Sequence, residues 1–176
     1  MMTGEIAKVY ADALFELCSE DKSYDSVHRD INDCRKVFAD NPDLLKFLSA
    51  PAINTDKKTE LLSEIFSDCG IVCNLLCVIT VKNRAGLIYK ITDCFNKLYN
   101  EYKNIAEITV TTCIPLSDTM REKLKAKLSA KFGKTVVMNE KVDKSILGGV
   151  IVQYENLQID SSIKSKLNSV HNELIS

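Results

Sequence analysis

The spacing of apolar residues changes period once along this chain, near residue 104, and that change limits the fold more than any other feature. From Glu5 to about Tyr102 apolar residues return every three to four positions, as on a helix with one buried side. The run is interrupted by "ADNPDL" with Pro42, "SAPAINTDKK" with Pro51 and an Asn54 or Thr55 cap, "DCG" with Gly70, and "NRAG" with Gly86. These breaks divide it into about six helices. Beyond Asn104, "IAEITVTTCI" alternates and is β-branched, so it predicts a strand. "SDTMREKLKAKLSAKFG" predicts a Ser-capped helix closed by Gly133, and "KTVVMNEKV" a second strand. "GGVIVQYENLQIDSSIKSKL" then supplies a strand, a turn near Glu155-Asn156, a return through Ile159 and a last helix from Asp160-Ser161. The expected fold is an N-terminal all-α six-helix bundle over 1–104 and a small α+β domain over 105–176. The join from Lys103 to Ala106 lacks Pro and Gly, so the sixth helix is expected to continue through it.

Charge narrows the partners. With 23 Lys and Arg against 24 Asp and Glu the net charge is −1, which leaves no global field to hold nucleic acid or an anionic membrane. Acids at Glu5, Asp12 and Glu16 exclude a basic leader at the start, neither secretory nor Arg-rich. The longest mostly apolar run, Ile71 to Val81, is about half of the roughly 20 residues a membrane span needs. Seven cysteines, an odd number spread over helical segments, are expected as reduced thiols in a cytoplasm.

Two helices are more apolar than one core requires. On a wheel the first puts Glu5, Lys8, Asp12, Glu16 and Ser19 in one narrow sector. Ile6, Val9, Tyr10, Ala13 and Leu17 make one apolar stripe, and Ala7, Ala11, Leu14, Phe15 and Cys18 a second. Together they span about 240°, where a surface helix needs little more than about 100°. In "IVCNLLCVITVKNR" only Asn74, Thr80 and Lys82 relieve the apolar surface, which predicts a helix buried on all sides. Either helix is accommodated at the centre of a bundle. The alternative is an apolar groove between the first and fifth helices that accepts an amphipathic helix from another chain, with small Ala7 and Ala11 allowing close approach.

Motifs for chemistry are sparse. Cys69, Cys73 and Cys77 recur every fourth residue, but zinc ligands are usually closer together in loops, and no fourth ligand is near. Gly133-Lys134-Thr135 copies the end of a phosphate-binding loop, yet Leu128 stands at the first Gly position and a helix, not a strand, precedes it. His28 and His171 are far apart in sequence and form neither a triad nor a metal site. No metal, cofactor or catalytic residue is expected. Arg121, Lys123, Lys125, Lys127, Lys131 and Lys134 make the 121–134 segment basic, which admits a small RNA-associated helical protein as the alternative function. Phe132 is its only aromatic residue, so base stacking is poorly supplied, and a solvated basic face or a patch for an acidic partner helix fits better.

In order and spacing, "VYADALFEL", "NLLCVITVKNRAGLIYKI" and "TTCIPLSDTMREKLKAKLSAKFGKTVVMNEKVDKSILGGVIVQYENLQIDSSIKSKL" resemble the delta subunit family of the F-type ATP synthase, the oligomycin-sensitivity-conferring protein family of mitochondria. The most specific parts are Asn83-Arg84, Pro115 to Ser117, Asp143 to Gly149, Asp160 to Ser162 and Lys164 to Leu167. Glu155-Asn156 replaces a customary Gly-Asp turn, and Ser161 a customary Gly. The resemblance implies a non-catalytic subunit of the peripheral stalk, without cofactor or metal, on the cytoplasmic face of the cell membrane. It implies that the helical domain binds the N-terminal helix of an alpha subunit in a groove of Ala7, Tyr10, Ala11, Leu14, Cys18, Leu75, Val78 and Ile79. The second domain would bind the b subunits, with Gly148, Gly149, Asp160 and Ser162 shaping its sheet and turn. No nucleic acid partner and no transmembrane segment are implied.

Overall fold

The computed structural model describes residues 2–155, 157–165 and 167. The chain divides into two compact units, Met1–Tyr99 and Asn100–Ser176. It is mostly helical, with one four-stranded sheet in the C-terminal part.

The first unit contains α1 (Met2–Asp21), α2 (Tyr24–Asp40), α3 (Pro42–Ser49), α4 (Thr55–Ile65), α5 (Gly70–Val81) and the greater part of α6 (Ile88–Tyr102). Short 3₁₀ turns at Ser67–Cys69 and Ala85–Leu87 lead into α5 and α6. Pro42 opens α3, where its missing N–H costs no helix bond. Asn54 caps α4 by accepting the Asp56 N–H at 3.3 Å. Ile31, Phe38, Leu62, Leu76, Ile88 and Phe95 meet in a single apolar core. Each buried side chain of this size contributes about 1.5–3 kcal/mol, so the core dominates the unit's stability. Inside it Lys58, 2% exposed, donates from Nζ to the Ala50 carbonyl at 2.7 Å. That carbonyl lies at the C-terminal end of α3, where the helix dipole favours a cation.

The second unit holds β1 (Ile105–Thr112), α7 (Asp118–Phe132), β2 (Thr135–Val142), β3 (Val150–Tyr154) and β4 (Leu157–Asp160). The strand order is β2-β1-β3-β4. β1 and β2 run parallel, with α7 as their crossover, while β3 pairs antiparallel with both β1 and β4. Ala106, Ile108 and Val110 on β1 share a core with Leu124, Leu128 and Phe132 of α7. Gly133, at φ 64, ends α7 in the left-handed region, and its N–H returns to the Ser129 carbonyl at 2.9 Å. Ser117 does stand at the N-cap, but its hydroxyl pairs with that of Thr119 and makes no cap bond to the backbone.

Two sequence expectations are corrected. The sixth helix does not run through Lys103–Ala106. It ends at Tyr102, Asn104 takes φ 54, and Ala106 already lies in β1. The Thr135 N–H donates to the Asn104 carbonyl at 3.0 Å, so pairing with β2 captures backbone that the helix would need. Nor is α5 buried on all sides: Val78 and Val81 are 48% and 51% exposed, and Asn74 is exposed. Of the last helix, Ile163–Ser165 and Leu167 are helical; its remainder, together with Asn156 and His171, lies outside the described residues.

Candidate functional site

The two apolar stripes of α1 have opposite fates. Ala7, Ala11, Leu14 and Cys18 point into the core, at most 2% exposed. Val9 and Leu17 are 67% and 45% exposed, Ala13 is exposed, and Tyr10 is half-buried at the border. On α5, Ile79 is in the core at 1% exposure, Leu75 is half-buried and Val78 faces solvent. Five of the residues expected to line a groove, Ala7, Ala11, Leu14, Cys18 and Ile79, are therefore packed against the unit's own interior. The available apolar surface is instead Val9, Tyr10, Ala13 and Leu17 on α1 with Val78 and Val81 on α5. A wheel reveals that a helix has two apolar stripes but not which one its neighbours cover.

The two helices are tied at one end. Arg84, just past α5, donates from Nη1 to the Tyr10 hydroxyl at 3.3 Å. The Arg84 backbone N–H is itself fixed on the Ile79 carbonyl at 2.7 Å. The guanidinium thus has a set place at the edge of the apolar surface. Arg84 and Val81 were within reach of sequence reasoning, since both follow the apolar run of α5, but nothing in the sequence paired Arg84 with Tyr10.

In the second unit Gly148, Gly149, Asp160 and Ser162 do come together. Gly149 has φ 86, and a β-carbon there would overlap the Ser161 carbonyl and approach Ser162 Cα to 2.9 Å. The Ile163 N–H donates to the Gly148 carbonyl at 3.0 Å and the Ser161 N–H to the Val150 carbonyl at 2.9 Å. Asp160 Oδ1 accepts the Ser162 N–H at 2.8 Å, and Ser162 Oγ accepts the Ser165 N–H at 3.2 Å, which starts the final helix. The Ser162 N–H holds the Asp160 carboxyl below the usual carboxylate range. These four bonds tie the start of β3 to the turn that follows β4.

Reactive chemistry is correspondingly thin. Burial pushes the Cys34 thiol far above its ordinary range, and those of Cys69 and Cys77 upward as well. Cys73 Sγ donates to the Leu62 carbonyl at 3.8 Å. Among the described residues no group of three His, Cys, Asp or Glu side chains is placed to hold a metal ion. His28 stacks on Tyr99 at 3.9 Å between ring centroids, and burial lowers its pKa. The segment "GKTVV" is the end of α7 and the start of β2, with Lys134 donating to the Tyr154 hydroxyl at 3.1 Å. Phe132 packs its ring against Tyr154 at 4.8 Å, so the one aromatic of the basic helix serves the core. Arg121 is engaged by Glu140 and Asp118. No single helix among the described residues is long and apolar enough to cross a membrane.

The chain thus joins a helical unit that turns apolar side chains outward on α1 and α5 to a small unit built on a four-stranded sheet. The chain belongs to the ATP synthase delta (OSCP) subunit family, whose pattern it matches over residues 6–174. It is 37% identical to the ATP synthase subunit delta of Lactobacillus johnsonii, over 97% of this chain and 95% of that one. The same protein of Lachnoclostridium phytofermentans is also 37% identical, over 98% and 97%. The fold is similar to that of a chain in the Toxoplasma gondii mitochondrial ATP synthase hexamer, with a TM-score of 0.78 over 97% of each chain at 17% identity. Membership makes this a structural stator subunit and not an enzyme.

Proposed function

We propose that the chain ties the catalytic head of an F-type ATP synthase to the peripheral stalk through two separate contacts, one on each unit. In this reading residues 1–104 form a six-helix bundle that accepts the N-terminal helix of an alpha subunit. The helix lies on the outward face of α1 and α5, over Val9, Tyr10, Ala13, Leu17 and Val78. Residues 105–176 bind the b subunits. The complex stands at the cytoplasmic face of the cell membrane, with this chain peripheral to it. The head then stays still while a central shaft turns within it during proton- or sodium-driven synthesis.

The observation that carries the alpha contact is the exposure of Val9, Ala13 and Leu17 along one side of α1, together with exposed Val78 and Val81 on α5. Single exposed apolar residues are ordinary, but a helix with two apolar sides has one to spare for a partner. An interface of about 800 Å² per partner, led by a few well-packed anchors, suits a tether that must not release under load. A truncated chain ending at Lys103 should fold, bind a synthetic alpha N-terminal peptide and fail to bind the b subunits. Loss of both helical signal and peptide binding would overturn the division of labour.

A further inference from the structure

The rims of the outward α1/α5 face carry opposite charges, and their placement goes beyond apolar docking. On α1, Glu5, Asp12 and Glu16 flank Val9 on the side away from Tyr10. Among the described residues none of the three has an ion-pair partner, and Lys8 is the only base in the same sector. Glu20 and Asp21 extend this acidity to the C-terminal end of α1, whose last turn contains no basic residue. Acids at that end oppose the helix dipole, so their placement works against the isolated helix. On the Tyr10 border of the stripe, Lys82 and Arg84 follow the C-terminus of α5, and Arg84 donates to the Tyr10 hydroxyl.

We propose that these rims read the charge pattern of the docked helix, a deepening that rests on the alpha-contact reading above. The occupant is an amphipathic helix with an apolar stripe, basic side chains along the flank that lies against Glu5 and Glu16, and an acid on the opposite flank facing Arg84. The apolar contact supplies most of the affinity, and the charged rims fix the rotation of the partner helix and speed its encounter. A helix with its flanks exchanged meets like charges on both sides and is rejected.

The test uses the full chain and the synthetic N-terminal peptide of the alpha subunit from the same synthase, in low and high salt. Glu5 and Glu16 are exposed, so the double variant E5K/E16K keeps its circular dichroism spectrum. It should bind about tenfold more weakly at low salt, chiefly through a slower on-rate, and the deficit should shrink at high salt. R84E should show the same pattern, while V78E should lose binding at either salt concentration. If E5K/E16K and R84E bind within twofold of the native chain at low salt while V78E does not bind, the charge code is overturned and the apolar contact stands. If the native chain fails to bind the peptide at all, the alpha-contact reading falls, and this inference with it.

Discussion

The carbonyl oxygen of Ser161 occupies the space that a β-carbon on Gly149 would need. The backbone at Gly149 is therefore doubly constrained, by its φ of 86 and by a neighbour that belongs to main chain and cannot swing away. Gly149→Ala should destabilise the second unit by about 1–3 kcal/mol or more, and Gly149→Val further still. Gly148→Ala meets only the Ile163 side-chain tip and should cost less. Amide hydrogen exchange on the full chain checks this: protection should fall in β3 and β4 and persist in α1 to α5.

A new charge should act oppositely on the sealed side of α1 and on the open side of α5. Ala11 is 0% exposed, so Ala11→Glu buries a carboxylate without a partner, costs several kcal/mol and should unfold the helical unit. Val78→Glu places the same group in water and should leave the melting curve nearly unchanged. Thermal circular dichroism distinguishes the two before any partner is added. A native-like melt for Ala11→Glu would mean that α1 is rotated from the orientation described.

Lys58 should be worth more than its polarity suggests. Replacing it with Met retains most of its apolar packing but takes the ammonium from the half-buried Ala50 carbonyl, which keeps only the longer bond from the Ile53 N–H at 3.5 Å. A charge-assisted bond of this type contributes about 1.5–3 kcal/mol, so urea denaturation of Lys58→Met should show a lower midpoint with little change in slope. A midpoint equal to that of the native chain would show that water replaces the ammonium at no cost.

The two units should weaken in different pH ranges. Burial lowers the folded-state pKa of His28 below its ordinary 6.5, so the unfolded chain binds the extra proton first. Its neutral form stabilises the helical unit fully above pH 6.5, and that contribution fades as pH falls through the folded value. Asp143 and Asp160 are held below their ordinary 3.8 by backbone N–H groups, and Glu140 below its 4.5 by Arg121. Their contribution to the sheet unit is present above pH 4.5 and is lost only in stronger acid. Denaturation midpoints from pH 7.5 to 5 should fall for the helical unit, and His28→Asn should flatten that slope.

Much of this architecture is legible in the sequence because local and long-range signals agree. Pro42, Asn54, Gly70 and Gly133 all mark helix ends where the structure has them, since each acts through its own backbone or its nearest neighbours. The return from β3 to β4 is equally local, with Glu155 at φ 51 supplying the turn that a Gly-Asp pair would otherwise make. What could not be read is what depends on rotation about a helix axis. Ala11 and Ala13 are alike in type, yet one is sealed in the core and the other is open, because the neighbours of α1 decide which stripe is covered. The Lys58 bond to Ala50 and the Arg84 bond to Tyr10 were invisible for the related reason that each joins elements whose approach is set by the packed core. The end of α6 is not marked locally, because Asn104 bonds to Thr135 of β2, some 30 positions later, and no local propensity reports that pairing.

The two-residue step from α6 into β1 has a mechanical meaning. β1 is the strand through which any tension carried along α6 must enter the sheet, and it is held on both sides. Eight residues pair with β2 and five with β3. The bonds to β3 lie across the strand direction and those to β2 slant across it, so a pull along β1 strains them together and does not peel them one by one. Asn104 adds a clamp at the point of entry, with its carbonyl bound to the Thr135 N–H and its Nδ2 to the Gly133 carbonyl at 3.4 Å. A chain whose load enters through a central strand in shear yields abruptly and at high force, whereas one loaded through an edge strand unzips gradually.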